Sequence, residues 1–359
     1  MSHDVGDAAT GSGAFRNRLT GLLSVSELGV FVAVVLISLV FYLIAPPFLS
    51  AQNIRAIVNF VSFVGIIAIG QAILLVAGEF DLSVGAIAGL AACVCAALMK
   101  NAHLPVFVAI FGGIALGAVI GLVNGIVVVK LKIPAFIQTL GMLFIGQGLI
   151  QVVTGGDPVY PLPDSVGQFG ASRALLGLGW SFVFFAIAGL LADFVLRRTV
   201  IGRNLYATGG NAEVARLVGI NASLYKICAF VLVSVMAAIS GMFVMADLAA
   251  GITSIGSGWE LTVIAGVVVG GVSLFGGSGT IIGALLGMLL LQVIQSGLVV
   301  IGVGANWQQI AVGLIMVLAV GLDLLRRRVF IGGQSKTTGG TGGTPVAAVE
   351  APTQPASSG

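Results

Sequence analysis

Apolar residues occupy this chain in long unbroken blocks divided by short polar breaks. The blocks fall at 30–45, 56–77, 83–99, 105–129, 134–153, 180–196, 224–246, 260–275, 281–300 and 307–325. Most approach the roughly 20 residues that a helix needs to cross a hydrocarbon core about 30 Å thick. They are continuous and not alternating, so they read as helices and not as the strands of a barrel. The pattern predicts an all-α polytopic membrane protein with about ten transmembrane helices.

Composition agrees with the pattern: 58% of residues are hydrophobic, 8% are charged, and the mean hydropathy is +1.14. The few cations are unevenly placed. With the N-terminus inside, cytoplasmic breaks collect Arg16, Arg18, Lys130, Lys132, Arg197, Arg198, Arg203, Arg216, Lys226 and Arg326 to Arg328. Outside there remain Arg55, Lys100 and Arg173. This positive-inside bias predicts that both termini are cytoplasmic. The net charge of +3 is thus a topology signal and not a nucleic-acid footprint.

Residues 1–29 are polar and read as a cytoplasmic tail before a retained first span, not as a cleavable signal. Residues 30–328 form the membrane domain. Residues 329–359 are Gly, Thr, Pro and Ser with little else, a composition expected to stay disordered. Cys93, Cys95 and Cys228 make no disulfide or zinc spacing, and His3 and His103 stand alone, so metal and triad chemistry find no residues. The glycine-rich run Gly276-Gly-Ser-Gly-Thr280 lacks the lysine of a phosphate-binding loop, and no complete one occurs.

The longest polar interruption is the segment 197–222, RRTVIGRNLYATGGNAEVARLVGINA. Within it Asn211 suits a helix N-cap, Glu213 the positive end of that helix, and Gly219 its termination. Val214, Leu217 and Val218 fall on one face. Such a helix, carrying Arg203 and Arg216 beside it, either docks on a partner or lies on the lipid surface.

Glu79 and Asp81 sit in Gly78-Glu-Phe-Asp-Leu-Ser-Val-Gly85, between two apolar runs, where charge is costly. Three roles compete: a cap for the next helix with Ser83, part of a translocation path, or a proton relay that would make the chain a proton-coupled secondary transporter. Gln71, Asn124, Gln138, Gln147 and Gln292 also lie within spans, lining a path or bonding a neighbouring helix. Asp247 and Glu260 flank a loop expected on the outer face, and Trp180, Trp259 and Trp307 suit interfacial anchors. Gly113, Gly117, Gly121 and Gly125, and later Gly266 and Gly270, form smooth ridges for helix packing. The segments starting at Asp81 and Ser278 both follow a polar break and carry two glycines four apart. Two halves of five spans each would run antiparallel, an inverted repeat.

Three stretches resemble one family. Gly78-Glu-Phe-Asp-Leu-Ser-Val-Gly85 is similar to the G-G-I-D-L-S-V-G signature of ribose-type permeases of ABC sugar importers. Gly202-Arg-Asn-Leu-Tyr-Ala-Thr-Gly-Gly-Asn211, continuing through Ala215-Arg-Leu-Val-Gly-Ile220, resembles that family's cytoplasmic loop G-R-x-x-Y-A-x-G-G-N…A-x-x-x-G-I. Gly266-Val-Val-Val-Gly-Gly-Val-Ser-Leu-Phe-Gly-Gly-Ser-Gly-Thr280 is similar to its V-V-L-G-G-T-S-L-x-G-G-x-G. The likeness spans residues 48–323, with Glu79 and Phe80 replacing the usual Gly-Ile. It implies a non-enzymatic permease subunit of the bacterial inner membrane that imports a monosaccharide or related polyol by alternating access. ATP and Mg²⁺ would be bound by separate cytoplasmic ATPase subunits, with no cofactor in this chain. A solute-binding protein would deliver the sugar outside, and a second permease copy or close relative would complete the membrane part. Arg203, Asn211, Glu213, Arg216 and Gly219 would then belong to the ATPase-coupling segment.

Overall fold

The computed structural model describes residues 25–174, 177–304, 306–315, 317–318 and 321. The C-terminal tail, the N-terminal residues before Val25 and the triplet Arg326 to Arg328 lie outside these. Among the described residues the chain is all-helical. Helix α1 (Val25–Ile44) is followed by one 3-10 turn and α2 (Ala51–Val76), whose N-cap Ser50 accepts from the Asn53 amide. Then come α3 (Val84–Lys100), α4 (Val106–Lys130) and α5 (Ala135–Thr154). A loop carries the short α6 (Asp164–Ala171) and leads to α7 (Trp180–Arg198). Two short helices follow, α8 (Val200–Gly210) and α9 (Ala212–Leu217), and then the long α10 (Ala222–Leu248). Helix α11 (Trp259–Val269) and α12 (Ile281–Val300) precede a further helical stretch at 306–315.

Seven of these helices, α1, α2, α4, α5, α7, α10 and α12, are long and apolar enough to cross a membrane. The span expected at 260–275 is corrected by the structure: α11 has only 11 residues, about 16 Å of helix, and stops at Gly270 with Gly271 at φ +91°. The apolar run continues beyond it as a turn. Helix α3, at 17 residues, is also short, and both are preceded by irregular backbone.

The centre of the molecule is where α2, α3 and α10 pack together, with α4, α11 and α12 around them. Lipid replaces water as solvent for the rest, so large apolar side chains such as Leu43, Phe111, Val152 and Leu190 are exposed. The glycine ridges face inward. From Gly113 to Gly125 the missing side chains admit Met242, Ala238, Ser234, Phe230 and Ile227 of the antiparallel α10, and Gly266 and Gly270 admit α12. Val159 and Gly251 exchange two backbone hydrogen bonds, 2.9 and 3.1 Å, tying two loops together.

Candidate functional site

The three motif stretches, more than a hundred residues apart in places, meet at one point. Helix α2 ends at Gly78 (φ +84°), α8 ends at Gly209 and Gly210, and the loop after α11 turns at Gly276 (φ +84°) and Gly277. The Gly277 amide donates to the Val76 carbonyl at 3.0 Å. A Cβ on Gly209 would collide with that carbonyl, and one on Gly276 would strike Gly78 and Gly209. Backbone touches backbone here because no side chain intervenes. The Tyr206 hydroxyl of α8 adds a 2.6 Å bond to the Gly279 carbonyl. Burial pushes the Tyr206 phenol above its ordinary range, so it remains a neutral donor. Asn204 donates to the Tyr225 hydroxyl at 2.7 Å, linking α8 to α10.

Helix α9 forms as its capping residues dictate. The Asn211 side chain accepts from the amides of Glu213 and Val214, both at 3.0 Å, and Gly219 takes φ +83° beyond the C-terminus. Its apolar face is left uncovered by the described residues: Val214 is 54%, Leu217 85% and Val218 70% exposed, while only Ala215 is buried. Arg203, Asn211, Glu213, Arg216 and Gly219 are all exposed. Arg216 shares a small cavity of about 120 Å³ with Glu79 and Lys226.

Glu79 and Asp81 have different surroundings. Lys226 at the start of α10 reaches Glu79 at 2.7 Å, an ion pair across 147 residues of chain. Asp81 is fully buried. One carboxylate oxygen accepts from the Ser83 amide (2.7 Å) and hydroxyl (2.5 Å), the other from the Asn124 amide (3.2 Å). Asn124 also donates to the Ser83 hydroxyl at 3.0 Å and accepts from Gln138 at 3.1 Å. Thr139 accepts from the Leu82 amide and donates to the Ala135 carbonyl. The cluster fixes the residues just before α3 against Asn124 of α4 and Thr139 of α5 and holds the amides of Leu82 and Ser83, while the Ser83 side chain makes no cap bond to α3 itself.

Of the other polar residues within spans, the structure brings Asn124 and Gln138 into this cluster and leaves the rest apart. Gln71 is fully buried with neither amide atom partnered, and the Gln292 Oε1 is likewise buried without a partner. Gln147 instead lines a cleft of about 590 Å³ between α5, the start of α3 and the loop residues Thr253 to Ser257. Gln151, Thr253, Ser254 and Ser257 on that cleft are polar positions that the sequence pattern does not single out.

Two more contacts join the inner ends. Glu27, buried on α1, receives Arg197 of α7 at 2.8 Å and the hydroxyl of Thr280, the N-cap of α12. Arg197 also binds Asp193 at 2.8 Å. No motif marks these residues; Arg197 and Glu27 are legible only as charges near span ends. Trp259, expected at an interface, packs edge-on against Phe60 with ring centroids 6.4 Å apart.

Residues 53–320 match the family described as branched-chain amino acid transport system / permease component. The ribose import permease protein RbsC of Escherichia coli K12 is 36% identical over 284 residues, covering 78% of this chain and 88% of that one. The galactose/methyl galactoside import permease protein MglC of the same organism is 34% identical over 327 residues, covering 86% and 97%. The autoinducer 2 import system permease protein LsrC of Salmonella paratyphi B is 36% identical over 271 residues, covering 75% and 77%. No solved structure matches the chain.

Proposed function

Because the chain belongs to this permease family of ABC importers, we propose that it carries a monosaccharide or related polyol, driven by ATP and Mg²⁺ bound in separate cytoplasmic ATPase subunits. It is a transport subunit and not an enzyme, a multi-pass protein of the bacterial inner membrane. A solute-binding protein outside loads it, and a second permease copy or close relative sits beside it. The exposed apolar face of α9 carries the coupling role: a capped helix presents Leu217 and Val218 away from the described residues of its own chain. Desolvated apolar residues ringed by charge make good anchors for a partner.

The linkage from that surface into the membrane supports alternating access. Motion of α9 reaches α8, and α8 abuts both the end of α2 and the turn after α11 through glycine backbones and the Tyr206 bond. The reading has about ten spans, both termini inside, and two inverted halves. It is supported by the segments starting at Asp81 and Ser278, which open α3 and α12 after a polar break and each carry two glycines four apart. The domain division is a membrane domain at 30–328, with coupling segment 197–222, between two tails. Asp81 and Ser83 act as a structural cap, since the donors to the carboxylate are Ser83 beside it and Asn124 of α4. Glu79 is already ion-paired, so the proton-coupled alternative draws no support from the geometry.

Uptake of sugar by proteoliposomes holding the complete transporter tests the coupling role. Glu213→Lys and Arg216→Glu should each lower ATP-driven uptake at least fivefold while membrane insertion and expression stay at wild-type levels. Undiminished uptake in both variants would sink the docking surface.

A further inference from the structure

The backbone from Gly251 to Gly258 is irregular, yet it runs deep. Gly251 packs on Ala96 of α3, Ile252 accepts from the Cys93 thiol at 3.7 Å, and the Ile255 and Gly256 carbonyls lie over Gly89 and Gly85. Next to Gly85, Ala86 meets Gly146, the middle of the 20-residue helix α5. The loop tip therefore lies near mid-membrane. Non-helical backbone at that depth persists only where it is buried in protein or lines water. Gly251, Ile255 and Gly256 are buried while Ser254 and Ser257 between and beside them are exposed, so one side of this stretch is left uncovered by the described residues.

The opposite wall makes the same point independently. Phe144, Gln147, Gly148 and Gln151 stand at i, i+3, i+4 and i+7 on α5, one stripe of the helix. Two exposed carboxamides on that stripe would be poorly placed in hydrocarbon. The wall chemistry is amides, hydroxyls and one aromatic side chain, with no ionisable side chain among the lining residues. Amides and hydroxyls both give and accept hydrogen bonds, and a charged solute would find no counter-charge there.

We propose that this mid-membrane cleft is a solute site on the translocation path, taking a neutral polyhydroxylated molecule through Gln147, Gln151, Ser254 and Ser257 against Phe144. The assignment rests on the importer reading and names where within the membrane the cargo is held. Its volume of about 590 Å³ falls in the range of small-ligand pockets.

Two measurements on the complete transporter test it. First, Gln147→Cys and Ser254→Cys, each with Cys228→Ser, are treated with a charged, membrane-impermeant thiol reagent. The control is Val152→Cys in the same background, on the 79% exposed face of the same helix. Both cleft thiols should react at least tenfold faster than the control thiol. Second, uptake of radiolabelled ribose and galactose is compared with binding-protein-stimulated ATP hydrolysis for Gln151→Leu and Gln147→Leu. Uptake should fall at least tenfold while stimulated hydrolysis stays within twofold of wild type. Cleft thiols no more reactive than the Val152→Cys control would overturn the proposal whatever the chain transports. So would reactive cleft thiols with undiminished uptake of both sugars in both variants. Wild-type uptake that proceeds without ATP would overturn the importer reading and the solute assignment with it, while the thiol result would still report separately whether the cleft holds water.

Discussion

Two places in this membrane chain leave the helix, and they are closed in opposite ways. At the inner end, the breaks after α2 and α11 are sealed by each other and by α8: glycine backbones touch, Gly277 bonds Val76, and Asp81 is filled by donors. At mid-depth, the break between α10 and α11 leaves Ser254 and Ser257 uncovered beside Gln147 and Gln151. A membrane tolerates irregular backbone in both circumstances, packed in protein or wetted. The sealed break suits the transmission of motion, because contacts without slack move together. The open one suits contact with a solute. One device, an interrupted helix, serves two ends according to whether neighbouring backbone closes over the break or leaves its serines uncovered.

Inserting a side chain where backbones touch should break the comparison most severely. Gly209→Val drives carbon into the Val76 carbonyl, an overpacking cost of about 3 kcal/mol. The expected result is at least a hundredfold loss of ATP-driven uptake and a broad aggregation peak in detergent size-exclusion. Gly148→Ala, facing open space in the cleft, should retain most folded protein in the same assay.

Asp81 sharpens it next. Asp81→Ala strands the Ser83 amide and takes one acceptor from the Asn124 carboxamide, which keeps its bond to the Ser83 hydroxyl, at about 1–3 kcal/mol for each buried unpaired group. Thermal unfolding of the purified chain should shift down by several degrees. Asp81→Asn keeps an acceptor and should retain most uptake; a proton relay would instead lose uptake in that variant with folding intact.

The Glu79–Lys226 pair is smaller in effect. A double-mutant cycle with Glu79→Gln and Lys226→Met should give a coupling of about 1 kcal/mol that shrinks in high salt. Smallest of all, Leu43→Ala on the lipid-facing side of α1, 72% exposed, should change stability by under about 0.5 kcal/mol.

What can be read from the chain follows from how local each signal is. The predicted span 281–300 coincides with α12, since Thr280 caps it within a polar turn. The helix between Asn211 and Gly219 is legible because cap chemistry acts over three residues. The run 260–275 misleads, because Val267–Val269 and Val272 are equally apolar before and after a turn that Gly270 and Gly271 make. The glycine ridges read correctly as packing surfaces, though their partner, α10, appears only in three dimensions. Ser254, Ser257 and Gln151 escape notice because depth in the membrane is not written in a loop's composition. Lys226 reads as a topology charge, and its partner Glu79 lies too far along the chain for any local pattern to pair them.

The buried contact between Glu27 and Arg197 carries a consequence for biosynthesis. The two residues lie 170 positions apart, and Thr280 is 253 positions beyond Glu27. At ribosomal rates of about 5–20 residues per second, about 10–30 s separate the emergence of Glu27 from that of Arg197. Helix α1 must therefore persist through that interval without the guanidinium that later fixes its inner end. Its composition fits such a wait: the span has a mean hydropathy of 2.6 and is only 11% buried even in the finished molecule. Lipid alone can hold it until the seventh helix arrives.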